Sequence, residues 1–152
     1  MMNSQMIKFY DTCSLLSLGE LLFTKKEYFI ISSVTLQELE NIKNSSTKDA
    51  DIKYSARLVS QLLEQYSDLY TVIIHYPRHE ILVKDLKITN DIKILSDAIY
   101  YNNNHQQIIF VTNDLCLKNI ALLYFDEDCV INTVAEEEDY YTGYKEIILS
   151  DE

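Results

Sequence analysis

Along the chain, short runs of β-branched and aromatic residues alternate with stretches whose apolar positions recur every three or four residues. Met6–Tyr10 is an apolar run closed by Asp11, and Thr12–Phe23 then reads as a helix with Leu15, Leu18 and Leu22 on one face. Tyr28–Ile31 reads as a second strand, and Val34–Ile42 as a helix with Val34, Leu39 and Ile42 inward. Asn44–Lys48 is rich in turn formers. Asp49–Tyr66 follows as a longer helix, with Ile52, Ala56, Val59 and Leu63 at helical spacing. Thr71–His75 is a strand, and Tyr76–Thr89, which holds the only proline, is a loop with a short helical piece. Asn90–Asn103 is a helix with Ile94, Ala98 and Tyr101 along one face. Ile108–Val111 is a buried strand, Asp114–Leu123 a helix, and Tyr124–Ile131 contains a last strand. Strands alternating with helices imply a parallel sheet covered on both faces, an α/β three-layer sandwich. The active crevice of such a fold lies beyond the carboxyl ends of its strands.

Length and composition agree with a single domain: 152 residues, 47% hydrophobic, with only two glycines and one proline. Cys13, Cys116 and Cys129 are odd in number and lack C-x-x-C spacing, which argues against a disulfide framework or a structural zinc site and fits reduced thiols in the cytoplasm. There is no apolar run of membrane-spanning length and no signal peptide, so no membrane partner is expected. Gly19 and Gly143 are isolated, so no glycine-rich phosphate loop exists. The formal net charge of −11 argues at first against a phosphate-rich partner. Residues 126–152 alone, however, carry −9, and the other 125 residues carry −2. The acidity is a property of the C-terminal stretch and leaves the body free to bind nucleic acid.

Four acids fall where the fold puts its crevice. Asp11 closes the first strand, Glu38 lies on the helix after the second, Asp91 opens the helix before the fourth strand, and Asp114 follows that strand. They are 27, 53 and 23 positions apart, yet all sit near one end of the sheet. Each also has an ordinary reading. Asp11 and Asp114 fit helix N-caps, Asp91 complements a helix N-terminus, and Thr35-x-x-Glu38 has the form of a capping box. Caps need not meet at one point. If the four do meet, like charges about 4 Å apart repel by several kcal/mol at an effective dielectric of about 20. A cation then has to sit among them, and an all-oxygen donor set suits Mg²⁺ or Mn²⁺. Such ions activate water and neutralise a phosphoryl group, which is the chemistry of phosphodiester hydrolysis.

The residues around these acids resemble a known family. FYDTCSLL (Phe9–Leu16) is similar to the opening motif of PIN domains, and ISSVTLQELENIK (Ile31–Lys43) to their second motif, with its Glu before Leu. TNDIKILSDA (Thr89–Ala98) resembles the N-D-x-x-I-L-x-x-A motif of PIN domains attached to PhoH-type ATPases, and IIFVTNDLCLKNIA (Ile108–Ala121) the last motif. AEEEDYYTGYKEI (Ala135–Ile147) looks like the segment joining the PIN and ATPase parts of PhoH-type proteins. The resemblance implies a PIN-like three-layer sandwich over residues 1–132. Residues 133–152 would be an acidic tail, either a linker to an ATPase domain in a longer protein or the solvated end of a stand-alone relative. It also implies a metal-dependent endoribonuclease acting on single-stranded RNA, in which a water attacks the phosphodiester and leaves 5′-phosphate and 3′-hydroxyl ends. A homo-oligomer is implied as well. Toxin-type PIN proteins have an antitoxin partner, and no residue here identifies one.

The same resemblance assigns metal-holding and catalytic roles to Asp11, Glu38, Asp91 and Asp114, and carboxylate-orienting roles to Thr12, Thr112 and Asn113. Cys13 stands where the family usually has Asn. Asp97 competes with Asp91 for the third acid. It lies about 240° around the helix from Asp91, and its expected role is a solvated charge. Arg57, Lys93 and Lys118 are candidate phosphate contacts on charge alone. Tyr100–Tyr101 and Tyr140–Tyr141 could stack on unpaired bases or pack in the core. His75, His79 and His105 show no metal-ligand spacing and are assigned nothing. A receiver domain would want an adjacent acid pair after the first strand, and a haloacid-dehalogenase phosphatase would want D-x-D there. Asp11-Thr12-Cys13 provides neither. The alternative to a nuclease is a non-catalytic RNA-binding or oligomerising module of a larger PhoH-type ATPase.

Overall fold

The protein is described from a computed structural model, which covers residues 6–134 and Glu137. Five strands form one parallel sheet: β1 (Ile7–Tyr10), β2 (Phe29–Ser32), β3 (Tyr70–Ile73), β4 (Ile108–Val111) and β5 (Val130–Ile131), in the order β3-β2-β1-β4-β5. The helices are α1 (Thr12–Leu18), α2 (Glu20–Thr24), α3 (Ser33–Lys43), α4 (Ala50–Gln65), α5 (Asn90–Asn104) and α6 (Leu115–Ala121). A 3-10 segment, Pro77–Val83, precedes α5.

Consecutive strand residues point to opposite faces of a sheet, and both faces here are apolar. Phe9, Ile30, Ile108 and Phe110 enter one core with Ile94, Leu95 and Ala98 of α5 and with Leu117 and Ala121 of α6. Tyr10, Phe29, Ile31 and Val111 enter the other with Leu15 and Leu18 of α1, Leu22 and Phe23 of α2, Leu39 of α3, and Ala56, Val59 and Leu63 of α4. This is the expected three-layer α/β/α sandwich. Chain order steps outward from β1 in one direction through β2 and β3, then jumps across to β4 and β5. The strand order therefore reverses between β1 and β4. That boundary is where open parallel sheets leave a crevice beyond their carboxyl ends.

Three expectations are corrected. Thr12–Phe23 is two helices, because Gly19 adopts φ 51° and ψ −126° and turns the chain between them. That backbone region is open to glycine and strained for other residues. Ile52 is 39% exposed, so the inward face of α4 starts at Ala56. The capping-box reading of Thr35 and Glu38 also fails. Ser32 is the N-cap of α3, accepting from the Val34 N–H at 3.0 Å, and Thr35 lies inside the helix. Of the expected tail, 133–152, only Thr133, Val134 and Glu137 are among the described residues, so the Tyr140–Tyr141 pair and the PhoH-like segment around it lie outside them. Among the described residues, no helix is long and apolar enough to cross a membrane.

Candidate metal-binding crevice

Asp11 leaves β1 as the N-cap of α1. Its Oδ1 accepts from the Ser14 N–H at 2.9 Å and from the Ser14 hydroxyl. The same serine hydroxyl also lies 2.9 Å from the Val111 carbonyl, tying α1 to the end of β4. The Asp11 N–H donates to that carbonyl too, at 3.2 Å. Asp114 leaves β4 in the same manner, capping α6 by accepting from the Cys116 and Leu117 N–H groups at 2.8 and 3.1 Å. Both N-cap readings of the sequence therefore hold. They do not compete with a shared site, because β1 and β4 are neighbours across the switch point.

Glu38 and Asp91 come to this point from helices. Oε1 of Glu38 accepts from the buried Thr12 hydroxyl at 2.5 Å, and that hydroxyl also lies 3.1 Å from Thr35 Oγ1. Asp91 sits in the first turn of α5, whose N-cap is Thr89. A pocket of about 430 Å³ is lined by Thr12, Cys13, Glu38, Lys48 and Asp91 among others. A second, of about 270 Å³, is lined by Lys87, Thr89, Asp91 and Asp114 among others. Asp91 is common to both and stands between Glu38 and Asp114.

Electrostatics report the same convergence. Burial, with the charges of Glu38, Asp11 and Asp114 added, pushes the Asp91 carboxyl up to about 6. Burial raises Asp11 as well, and the Asp114 charge adds to this, while hydrogen bonds from Ser14 and Thr112 act in the opposite direction. The Cys13 thiol is pushed up to about 11 by burial and then by all four acids. Three groups thus feel one another's neighbours at a single place, and no lysine or arginine is among the causes. This is the uncompensated negative field that a divalent cation would relieve.

The donor set suits a hard cation, since all four side chains offer carboxylate oxygens. No three of them bring ligand atoms within 4.8 Å of one another; among the described residues, the groups that do are His75–His79–Asp97 and Asp126–Asp128–Cys129. As these side chains stand, no three of the acids bind one ion directly, and further contacts would run through water or need side-chain movement.

The flanking candidates fall into place unevenly. Thr112 is buried, its hydroxyl accepting from the Asp114 N–H at 3.1 Å. Asn113 holds Thr133 instead, accepting from its N–H at 2.9 Å and donating to its hydroxyl at 3.0 Å. Arg57 is exposed on α4, and Lys93 and Lys118 are half-buried. The cations on the pocket walls are Lys48 and Lys87, which charge alone did not single out. Ser14 was missed too, although the Asp11-x-x-Ser14 spacing at a helix start was a usable signal.

Asp97 is the clearest correction. It is fully buried, not a solvated charge, and is bonded to Ser32, His75 and His79. Asp97 is therefore directed away from solvent and into a network of its own. The two histidines assigned nothing on spacing belong to that network. Tyr100 stacks on the His79 ring and Tyr101 packs partly against the core, as aromatics in a sandwich layer do.

Comparison with known proteins gives three findings. No curated protein matches the chain. A crystal structure titled VapBC2 from Rickettsia felis bound to a DNA fragment from their promoter shares 22% identity, with 84% of this chain and 97% of that chain covered and a TM-score of 0.47. The family model described as PIN domain matches residues 9–124, a span that contains all four acids, the end of β1 and the whole of β2, β3 and β4. The chain belongs to the PIN domain family.

Proposed function

We propose that this chain is a metal-dependent endoribonuclease that hydrolyses phosphodiester bonds of single-stranded RNA at the crevice between β1 and β4, with Mg²⁺ or Mn²⁺ as its ion. Asp91 carries the reading. A carboxyl raised to about 6 by burial and by three other acids is costly for a fold to keep without a cation to share it. Membership of the PIN domain family supports the same chemistry.

In this reading Asp11, Glu38, Asp91 and Asp114 hold the ion, directly or through water. When bound, the ion would supply charge neutralisation at the phosphoryl group and an activated water for attack. The protein's own part is preorganisation. Ser14 fixes the Asp11 rotamer, Thr12 fixes Glu38, and the α6 N–H groups fix Asp114. Thr112 restrains the turn between β4 and Asp114, and Asn113 anchors the chain after β5 through Thr133. Lys48 and Lys87 would hold the RNA backbone on either side of Asp91, with Arg57, Lys93 and Lys118 contributing further out. The PhoH-like motif Thr89–Ala98 and the tail segment support a place in a larger, homo-oligomeric PIN–ATPase protein. There, residues 1–132 would be the nuclease domain and 133–152 the linker.

The test is cleavage of a labelled single-stranded RNA by the full chain in Mn²⁺ or Mg²⁺. Cleavage with 5′-phosphate and 3′-hydroxyl ends is expected. It should be lost in EDTA and in Asp11→Asn or Asp114→Asn while the fold is retained. A folded wild-type chain that binds RNA but leaves it intact in both metals would replace this reading with the non-catalytic module.

A further inference from the structure

The second convergence of titratable groups lies further along α5 and takes no part in the acid crevice. Nδ1 of His75 and Nδ1 of His79 each lie 2.7 Å from the same oxygen, Asp97 Oδ1, and the Ser32 hydroxyl donates to Oδ2 at 2.7 Å. Nε2 of His75 faces a second carboxylate, Glu80 Oε2, again at 2.7 Å. Asp97 and His79 are buried, while the His75 and Glu80 side chains are 12% and 25% exposed, so the cluster is reached from solvent on the His75 side.

Hydrogen counting meets every polar contact of the cluster only when His75 carries both ring protons. A neutral imidazole carries one N–H. If His75 donates it to Glu80, its Nδ1 lone pair faces the lone pairs of Asp97. A second proton on His75 completes both bonds and leaves one cation facing two carboxylates, Asp97 buried and Glu80 a quarter exposed, a residual negative charge that a doubly charged ion would cancel. Arg78 does not correct it, because its guanidinium lies over the rings of Tyr76 and Tyr100, 4.7 and 5.8 Å from their centroids. The His79 ring stacks on Tyr100 with centroids 4.0 Å apart, and its Nε2 is buried without a partner. Packing, not hydrogen bonding at both ends, therefore aims His79 Nδ1 at Asp97.

We propose that His75, His79 and Asp97 form a binding site for a first-row divalent transition metal of the Zn²⁺ class, separate from the four-acid crevice. The three ligand atoms lie within 4.8 Å of one another. Two imidazoles and one carboxylate are a donor set for Zn²⁺ or Fe²⁺, and a poor one for Mg²⁺. A doubly charged ion balances Asp97 and Glu80 together. The His75–Glu80 hydrogen bond then fixes the tautomer that presents Nδ1, as carboxylates behind metal-bound histidines do. Tetrahedral bonds of about 2.0–2.2 Å set ligand atoms roughly 3.4 Å apart, so small side-chain movements open the cluster from 2.7 Å. The fourth position is left to water. Such an ion would clip the chain just after β3 and the segment Pro77–Val83 to α5, whose first turn holds Asp91.

The experiment is a Zn²⁺ titration of the chelator-stripped full chain in excess Mg²⁺, read by competition with a chromophoric chelator. About one equivalent of Zn²⁺ should bind to wild type and equally to an Asp11→Asn/Asp114→Asn variant. His75→Gln should weaken binding at least tenfold and abolish the zinc-dependent rise in melting temperature. No bound Zn²⁺ in wild type, or loss of binding in the acid variant but not in His75→Gln, would overturn the proposal. Wild type alone gives a second reading should His75→Gln not fold. Co²⁺ should produce the intense visible bands of a tetrahedral site, and a weak octahedral spectrum would count against it.

Discussion

The Thr12 hydroxyl donates to Glu38 Oε1 at 2.5 Å, binding the residue after β1's acid to an acid carried by α3. Thr12 is buried, and its hydroxyl also meets Thr35, so this contact is a fixed joint between two helices and not a surface pairing. Thr12→Val keeps the shape and removes the donor. A hydrogen bond to a charged group is worth about 1.5–3 kcal/mol, and the partial exposure of Glu38 puts the expected loss near the low end. Urea unfolding should show that loss. Under the proposed activity, cleavage should fall roughly tenfold or more as Glu38 loses its orientation. An unchanged cleavage rate would show that Thr12 serves the fold alone.

Asp91 makes the metal-free chain sensitive to pH. Its folded-state value of about 6 exceeds the ordinary 3.8, so the folded chain holds an extra proton between those values. Stability should therefore fall as pH rises through that window and level off above it. Asp91→Asn should reduce the slope, leaving the smaller share of Asp11, whose carboxyl burial also raises, and should raise the melting temperature of the EDTA-treated protein at pH 7. Saturating Mn²⁺ should reverse that ranking. Thermal melts from pH 4 to 7.5 decide the matter, and a slope undiminished in Asp91→Asn would assign it to another group.

Cys13 reports on the same field. The residue is exposed, yet partial burial of its thiol and the four acids push it up to about 11, which leaves little thiolate at neutral pH. In a Cys116→Ser background, alkylation of Cys13 by iodoacetamide at pH 8 should be slow and should quicken several-fold when Mn²⁺ neutralises the acids. Equal rates with and without the ion would mean that it binds elsewhere.

Gly19 tests the backbone directly. Its φ of 51° and ψ of −126° lie in a region closed to other residues, although a Cβ there would meet nothing nearer than the Leu16 carbonyl at 3.9 Å. Gly19→Ala should cost about 1–3 kcal/mol from conformation alone. In a domain of this size, that corresponds to a fall of several degrees in melting temperature. A neutral effect would mean that α1 and α2 can join without disturbing the packing of Leu22 and Phe23.

Much of the architecture is legible because it depends on local periodicity. Val111, Ile108 and Phe29 belong to unbroken apolar runs, and Phe9 to one interrupted only by Lys8, as strands buried on both faces require. The α5 face of Ile94 and Ala98 is a plain helical repeat. The break at Gly19 is invisible in the apolar pattern because the Leu15, Leu18 and Leu22 spacing continues across it. Exposed Ile52 shares a face with buried Ala56 and Val59, and only the position of the neighbouring layer decides where that face begins.

By itself, the amino-acid order determined a doubly covered parallel sheet and set acids at the ends of its strands, since strand and helix patterns and capping residues act within a few positions. Only the tertiary structure decided which distant groups meet. It put Asp11 beside Asp114 because the strand order reverses between β1 and β4. It turned Asp97 away from solvent onto His75 and His79. A carboxylate reads the same at any helix position along the chain. Its charge, its burial and its partners come from elements many residues away, and that information exists only once the layers have packed.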